Sequence, residues 1–245
     1  LNTHLTALNR LKSLLYWLKI LSMSKNVLLA GASGLVGNNL LNVLLKNDSN
    51  LVLISRKKIN TKKEIKQIVT NFDELEQLNN KISIDTVYIA IGKRLSLMEL
   101  IYLKKKNRSN FEKVDFEYIK NIAAFAKRSG AKSLGLISAV GANKNSLNTY
   151  LKVKGKTEEE IMSLGFDKVI IARPGHLLGK RKNESINPII FIFEMITNIT
   201  GMLLLGPLKK FKNIDSSKVA SAIIEKINTG PDGVYFLDYD DFRNY

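Results

Sequence analysis

The sequence lacks cysteine and contains only two histidines, His4 and His176, in 245 residues. Without cysteine the chain cannot form a disulfide framework, a cysteine-based zinc site, an iron–sulfur cluster or a cysteine nucleophile. A Ser-His-Asp hydrolase would depend on His176, which has no acidic residue close to it in the sequence. The composition therefore predicts no metal site and is compatible with a reducing compartment, which we expect to be the cytoplasm.

Acidic residues are also scarce. The 22 Asp and Glu residues are outnumbered by 38 Lys and Arg, which gives a formal net charge of +16. Such a balance is compatible with a nucleic acid, an anionic lipid or a phosphorylated ligand as partner. Lys, Asn and Ile are abundant throughout, however, and aromatic residues do not alternate with the basic runs. We therefore interpret the charge mainly as a compositional bias and expect no nucleic-acid role.

No apolar run reaches 18 residues, so the sequence predicts no transmembrane helix. The first 22 residues nevertheless carry a leucine stripe at helical spacing, formed by Leu5, Leu8, Leu11, Leu15 and Leu18. This basic amphipathic segment could make peripheral contact with a membrane surface or act as a targeting signal. The interpretation that we favour is an N-terminal amphipathic extension over residues 1–22, followed by a single domain over residues 23–245.

From Asn26 onward, apolar runs of strand length alternate with amphipathic runs of helical length. The strands are predicted at NVLLA, LVLIS, DTVYIAIG, SLGLIS, KVIIARPG and GVYFL, with another near residues 67–72 and a short basic helical stretch after the second. The main predicted helices cover residues 34–46, 111–128, 147–164, 189–200 and 216–227. Near-continuous apolar strands separated by helices are typical of an α/β fold with a doubly wound parallel sheet, the Rossmann fold. The less regular last third predicts a small C-terminal elaboration on the substrate side.

A glycine-rich loop follows the first strand and opens the first helix. Gly31, Gly34 and Gly37 would allow, in turn, a tight turn, a close approach of the backbone to a pyrophosphate and close packing of helix on strand. The amides at the start of the helix would then bind the phosphates. The predicted binding loop comprises Gly31, Ser33, Gly34, Leu35, Val36 and Gly37. Its GxxGxxG spacing resembles that of the short-chain dehydrogenase superfamily.

The end of the second strand indicates which dinucleotide is bound. An NAD enzyme usually has Asp or Glu there, but this chain has Ser55, Arg56 and Lys57. A carboxylate would repel a 2′-phosphate, whereas a guanidinium can bind it with two hydrogen bonds. We therefore expect NADP(H) rather than NAD(H). The alternative is that Arg56 and Lys57 only begin a solvated loop.

A Tyr-x-x-x-Lys pattern, Tyr150 to Lys154, lies at the start of a predicted helix. The i, i+4 spacing places the phenol and the ammonium on one face, where the positive charge favours phenolate and lowers the tyrosine pKa. Ser138 ends the preceding strand, so its hydroxyl could contact the same substrate oxygen. These three residues, Ser138, Tyr150 and Lys154, are the predicted catalytic set.

The blocks GASGLVG, LISAVGA, YLKVKG and RPGHLLG are similar to those of the Tat-interacting-protein-like atypical short-chain dehydrogenases, over about residues 23–227. The resemblance implies a Rossmann fold, NADPH binding and a Ser/Tyr/Lys site, with substrates mostly undefined; Lys154 would also bind ribose. It further implies that strand ends contact the adenine or line the cofactor, at Phe72, Asp73, Ala90, Ile91, Gly92, Arg173, Pro174 and Gly175.

The chain departs from this pattern at three places. Ala139 stands where many relatives have a second serine, and Asp115 where other superfamily members often have a catalytic Asn. We do not count Asp115 as catalytic, because a carboxylate cannot donate a hydrogen bond unless protonated. The long stretch over residues 93–110, with its cluster of lysines, is interpreted as a solvated basic loop rather than as a lid for an anionic substrate.

The expected function is that of an NADP(H)-dependent carbonyl reductase or alcohol dehydrogenase acting on a small molecule, as a monomer or homodimer. Tyr150 would donate the proton, Lys154 would lower its pKa, and Ser138 would polarise the oxygen. Two alternatives remain open. One is a non-catalytic NADPH-binding regulatory or assembly protein, and the other is an epimerase or dehydratase on the same fold.

Overall fold

The computed structural model of the chain describes residues 25–47, 50–78, 82–179 and 206–245. The predicted N-terminal extension and the predicted helix over residues 189–200 lie outside these ranges. None of the helices within the ranges is long and apolar enough to cross a membrane.

The strands are β1 (Asn26–Ala30), β2 (Asn50–Ser55), β3 (Lys66–Val69), β4 (Thr86–Ile89), β5 (Ser133–Ile137), β6 (Lys168–Ala172), β7 (Leu177–Leu178), β8 (Ile214–Asp215) and β9 (Gly233–Leu237). The α-helices are α1 (Leu35–Leu44), α2 (Leu97–Ile101), α3 (Lys105–Glu112), α4 (Tyr118–Arg128), α5 (Thr149–Ser163), α6 (Ser216–Thr229) and α7 (Tyr239–Phe242). A π-helical turn, Lys113–Glu117, joins α3 to α4, and a 3-10 helix covers Gly206–Phe211.

Seven of these strands form one parallel sheet in the order β3-β2-β1-β4-β5-β6-β9, and β7 pairs with β8 beside it. The order runs outward from β1 in one direction and then from β4 in the other, as in a doubly wound sheet. The predicted fold class is therefore confirmed. The GVYFL strand becomes the last strand of the sheet, parallel to β6.

Both faces of the sheet are covered, which explains the apolar strands. In β1, Leu28 and Ala30 pack into the cluster that includes α4, whereas Val27 and Leu29 pack into the opposite cluster with α1 and α6. Successive side chains of a strand point to opposite faces, so a strand covered on both sides must be apolar at every position. Buried runs such as NVLLA result from this arrangement.

The structure corrects several predicted boundaries. The predicted basic loop over residues 93–110 contains α2 and α3, and α2 begins with a capping box in which Ser96 and Glu99 bond reciprocally. The helix predicted to begin at residue 111 continues from α3 through the π-helical turn. Residues 56–65, where a short helical stretch was expected, contain no helix. Instead, Gln67 on β3 bonds both the backbone N–H and the carbonyl of Ile59, which holds this segment irregular.

Candidate active site

The predicted functional residues gather at the carboxyl edge of the sheet. Gly31 follows β1, Gly92 lies just beyond β4, Ser138 follows β5 and Arg173 follows β6. Because β1 and β4 are neighbours at the point where the strand order reverses, the loops after them diverge and leave a crevice. Sheets of this kind bind their ligands at this position.

The glycine loop has the geometry that its sequence predicted. Gly31 adopts a φ of 90°, and a Cβ there would lie 2.5 Å from the carbonyl carbon of Ala90. A Cβ on Gly37 would lie 1.9 Å from the carbonyl oxygen of Gly31, so helix and turn pack too closely for any side chain. Gly34 caps α1 without a side-chain hydrogen bond, and the first turn carries no acid. The start of α1 thus fits a phosphate group.

The remaining residues of the loop differ in what they offer. Ser33 is exposed at the turn and Leu35 is half-buried. Val36 is buried in the core against the sheet. Among these predicted binding residues, Val36 could therefore contact a cofactor only through its backbone.

The end of β2 and the loop after β3 meet at Tyr118, which sequence reasoning missed. Arg56 is exposed, and its guanidinium lies 5.6 Å from the centre of the Tyr118 ring. Phe72 packs edge-to-face on the same ring at 5.4 Å. Asp73 forms a 2.9 Å ion pair with Lys113. The structure thus brings Arg56, Phe72 and Asp73 around one aromatic side chain at the start of α4.

The other two residues predicted to bind the cofactor at the end of β2 are Ser55, which is half-buried, and Lys57. The Ser55 hydroxyl donates to the carbonyl of Lys57 at 2.7 Å and stabilises the turn. Lys57 itself is exposed. Residues 55–58 contain no Asp or Glu, so this segment places no carboxylate beside Arg56.

The strand end at Ala90, Ile91 and Gly92 leads to Lys154, one of the predicted catalytic residues, and to Asp115. The Ala90 amide donates to the carbonyl of Ala30, which ties the two loops together. Ile91 packs against the apolar cluster of α4. A Cβ on Gly92 would lie 3.1 Å from Oδ1 of Asp115, so glycine permits this close approach.

Lys154 forms a buried ion pair with Asp115, the residue that the sequence analysis did not count. Nζ of Lys154 lies 2.9 Å from Oδ1 of Asp115, and both side chains are almost fully buried. Oδ2 of Asp115 accepts the backbone N–H of Lys93 at 2.7 Å. Asp115 lies in the π-helical turn, whose extra residue changes the direction of the side chains within the helix. The sequence signal that could have revealed Asp115 was an acidic residue among the apolar positions of a predicted helix.

The pKa values of Tyr150 and Lys154 are both raised, Tyr150 by burial and Lys154 by its charged neighbours in spite of burial. Burial raises the pKa of Tyr150; the charge of Lys154 lowers it and that of Asp115 raises it further, with a net rise. Burial lowers the pKa of Lys154, but Asp115, Tyr150 and Glu158 raise it, and the net shift is upward. The predicted effect of Lys154 on Tyr150 is present but outweighed. Tyr150 therefore holds its proton at neutral pH, as a proton donor requires.

Ser138 is bonded to Glu158, a second residue that sequence reasoning missed. The Ser138 hydroxyl donates to Oε1 of Glu158 at 2.5 Å. Arg173 binds the same carboxylate through Nε at 3.0 Å and Nη2 at 2.5 Å, and its guanidinium lies 4.1 Å from the centre of the Phe236 ring. Glu158 is eight residues after Tyr150, on the same helical face, and this spacing was the signal that could have revealed it.

The predicted Arg173-Pro174-Gly175 segment supports its neighbours in three ways. The side chain of Arg173 holds Glu158, the carbonyl of Pro174 accepts the amide of Val140 at 3.0 Å, and a Cβ on Gly175 would lie 2.7 Å from the carbonyl oxygen of Lys212. The cofactor contact that the resemblance implies for Arg173, Pro174 and Gly175 stays a prediction.

The stretch that was predicted to be a basic loop contributes Leu95 and Leu103 to an apolar cluster beside Tyr150. The Tyr150 ring lies 5.7 Å from that of Phe111, which is buried with Leu103 and Val153. Leu95 and Phe116 pack on the same cluster.

In the described part of the chain, no three acidic or histidine side chains are grouped as a metal site would require.

A family described as NAD(P)H-binding matches residues 31–189, which include the glycine loop, Ser138, Tyr150 and Lys154. The chain belongs to this family. Similar sequences are also found among curated proteins. Protein FMP52, mitochondrial, of Candida albicans is 33% identical over 202 residues, covering 80% of this chain and 86% of the relative. Protein HTATIP2 of Rattus norvegicus is 32% identical over 168 residues, covering 66% of each chain.

The match to HTATIP2 confirms the resemblance to the Tat-interacting-protein-like atypical short-chain dehydrogenases. Solved structures agree on the fold. MoeE5 in complex with UDP-glucose and NAD has a TM-score of 0.63 at 14% identity, over 89% of this NAD(P)H-binding chain and 79% of that one. The UDP-N-acetylglucosamine 4-epimerase of Methanobrevibacter ruminantium has a TM-score of 0.64 at 15% identity, over 88% and 76%.

The expected cytoplasmic location is wrong. The FMP52 relatives from Candida albicans, Debaryomyces hansenii and Kluyveromyces lactis are all named as mitochondrial proteins. The absence of cysteine, on which the expectation depended, indicates only that no disulfide is needed. It carries no information about which reducing compartment holds the chain.

Proposed function

We propose that this NAD(P)H-binding protein is an NADP(H)-dependent oxidoreductase that transfers a hydride between the nicotinamide and a carbonyl or alcohol substrate. The observation that carries the proposal is the cluster of Tyr150, Lys154 and Asp115 at the carboxyl edge of the sheet. A protonated phenol beside a buried ammonium is suited to exchange a proton with a substrate oxygen. A protein that only binds the dinucleotide has no need of this pair.

The roles of the residues follow from their contacts. NADPH, when bound, would supply the hydride that forms the new C–H bond at the carbonyl carbon. As the C=O π electrons move to oxygen, Tyr150 would give that oxygen its proton, and Lys154 would stabilise the resulting phenolate. Asp115 would keep the Lys154 ammonium charged and in place. Ser138 would lie beside the same oxygen, and the phenolate would regain its proton from solvent.

The cofactor would be held mainly by backbone and by cations. The glycine loop and the start of α1 fit its phosphates, and Lys154 would bind the ribose, as the resemblance implies. Arg56 supports a preference for NADP(H), because its exposed guanidinium lies at the end of β2 with no carboxylate at the neighbouring positions. NADP(H) rather than NAD(H) is therefore the cofactor that we assign to this site.

The substrate would be a small molecule with an apolar body. Leu95 and Phe116 are only half-buried on the apolar cluster that packs against Tyr150, so the part of a substrate near the reacting carbonyl would lie against hydrocarbon. This property directs the choice of test compounds toward aromatic and aliphatic aldehydes, ketones and quinones.

The test is NADPH oxidation by the purified protein over that panel, beside Tyr150→Phe. We expect turnover with at least one carbonyl, and a loss of turnover on the order of 10²- to 10⁴-fold in the variant with NADPH affinity unchanged. Tight NADPH binding without turnover on any carbonyl would contradict the proposal and favour a regulatory protein. Conversion of a sugar nucleotide without net cofactor oxidation would favour an epimerase.

We also propose a mitochondrial location. The names of the FMP52 relatives support it, and the measurement is the distribution of the natural full-length protein in subcellular fractions against mitochondrial and cytosolic markers. Recovery outside the mitochondrial fraction would overturn this part of the proposal.

A further inference from the structure

The only proton of the Ser138 hydroxyl is already donated in a hydrogen bond to Glu158. A serine hydroxyl has one O–H to donate and two lone pairs to accept with. The Ser138 hydroxyl donates to Oε1 of Glu158 at 2.5 Å, inside a buried pair in which neither residue is more than 6% exposed. A hydrogen bond to a carboxylate is short and about twice as strong as one between neutral groups. What Ser138 can still offer a ligand is therefore its lone pairs.

The direction of this hydrogen bond is held by the surroundings of Glu158. Arg173 binds the carboxylate with two nitrogens, and the guanidinium in turn stacks on Phe236. A carboxylate paired in this way has no proton to donate, so Ser138 can only be the donor. Glu158 also lies on the face of α5 that carries Tyr150 and Lys154, so the helix that places the proton donor places the acceptor of the Ser138 proton as well.

We propose that Glu158 is a positioning residue that fixes Ser138 as a hydrogen-bond acceptor toward the substrate, so that the site binds an alcohol more tightly than the corresponding carbonyl. A substrate hydroxyl can donate to Ser138 while it accepts from Tyr150, which gives two hydrogen bonds. A carbonyl oxygen can only accept, so it is bonded by Tyr150 alone and faces the lone pairs of Ser138. The preference for alcohols rests on the proposed function, whereas the bond between Ser138 and Glu158 does not.

The absence of cysteine allows a test that needs no substrate. Ser138→Cys introduces the only thiol of the chain, and its thiolate can be titrated by ultraviolet absorbance. Because a carboxylate that accepts the proton favours the protonated thiol, we expect a pKa above the ordinary value of about 8.5. Glu158→Gln in this background should lower the pKa by about one unit or more, a tenfold change in the thiolate ratio.

The matched control is Glu159→Gln in the same Ser138→Cys background. Glu159 is the next residue of α5, is exposed and pairs with Lys144 on the surface, so its loss removes one negative charge without touching Ser138. In this control, the pKa of the thiol introduced by Ser138→Cys should stay unchanged. If Glu158→Gln fails to fold, the Ser138→Cys protein that retains Glu158 still tests the proposal. A thiol pKa at or below the ordinary value in that protein would overturn the proposal.

The second arm compares alcohol and carbonyl with the best substrate pair from the panel. In Glu158→Gln, the amide oxygen is expected to face Arg173 and the NH₂ group to face Ser138, which releases the serine proton toward the substrate. The KM for the carbonyl should fall and the KM for the alcohol should rise, each by several-fold, with kcat less affected. In a Ser138→Ala background, the same substitution should shift neither KM.

The two arms separate the failures. Absence of turnover in the unaltered protein counts against the proposed function, and the thiol titration still decides whether Glu158 accepts the proton of residue 138. Turnover with equal KM shifts for alcohol and carbonyl in Glu158→Gln would overturn the alcohol preference while the proposed function stands.

Discussion

The two halves of the candidate site, along the carboxyl edge of the sheet, are built in different ways. On the side of β1 and β2, the site consists of backbone: the turn at Gly31, the uncapped start of α1 and the close contact of Gly37 with the turn. On the side of β5 and β6, it consists of buried charged side chains, in the pairs Lys154–Asp115 and Glu158–Arg173. The first half depends on side chains being absent, and the second on side chains from distant segments meeting in pairs.

This difference predicts which kind of substitution disrupts each half of the site. A backbone site fails when an atom is added, since there is no space for it. A network of buried charges fails when an atom is removed or neutralised, since a partner is then left buried without compensation. Substitutions of one or two atoms should therefore distinguish the halves.

The largest effect is expected from Gly37→Ala. The added Cβ would lie 1.9 Å from the carbonyl oxygen of Gly31, a backbone atom that cannot move without opening the turn. We expect a loss of more than about 3 kcal/mol in the free energy of unfolding, at the upper end for overpacking, together with loss of NADPH binding. The measurements are chemical denaturation and cofactor titration.

Gly34→Ala is the matched control for this prediction. Its Cβ would lie 3.2 Å from the same oxygen, and its φ of −79° suits any residue. It should lose far less stability than Gly37→Ala. Equal losses in the two variants would show that the contact between helix and turn is not what makes the loop sensitive.

Asp115→Asn should have the next largest effect. The substitution leaves Lys154 buried without its ion-pair partner, while the amide oxygen can still accept the N–H of Lys93, so we expect a loss on the order of 2–3 kcal/mol. It should also lower the pKa values of both Tyr150 and Lys154, because Asp115 raises both. Denaturation at neutral pH and pH–rate profiles measure these effects.

The sign of the pH dependence follows from these raised pKa values. In the unaltered protein, reduction needs protonated Tyr150, so the rate should fall only as the pH rises above the ordinary tyrosine value of 10.0. The stabilisation from charged Lys154 is complete below 10.5 and is lost as the pH rises through its higher folded-state pKa. In Asp115→Asn both losses should begin at lower pH. Profiles that coincide would contradict this account of Asp115.

The smallest effect is expected from Arg56→Ala. Arg56 is exposed and pairs with no carboxylate among the residues that the structure describes, so its loss should leave stability within about 0.5 kcal/mol. NADPH affinity should fall on the order of tenfold, while NADH affinity should hardly change. Lys62→Ala, also exposed but farther along the same segment, serves as the control. A parallel loss of both affinities in Arg56→Ala would remove the argument for NADP(H).

The predicted elements were most accurate where a single segment carries the signal. The spacing of Gly31 and Gly37 required a turn and a close helix, and the i, i+4 spacing of Tyr150 and Lys154 placed both on one face of α5. Where a signal depended on other segments, prediction failed. Lys104, Lys105 and Lys106 are exposed, as expected, but the stretch 93–110 contains two helices instead of a loop, and Leu103 between them is buried in a cluster with Val153 of α5.

The sequence by itself determined the doubly wound sheet, the glycine loop and the Tyr-Lys pair, because each depends on periodicity or conformational freedom within a short stretch of chain. Only the tertiary structure decided which groups pair at the site. Asp115 meets Lys154 across 39 positions, and Glu158 joins Ser138 to Arg173 across three elements. Pairing of buried charges is set by the distances that packing leaves between elements, and no local pattern in the chain encodes those distances.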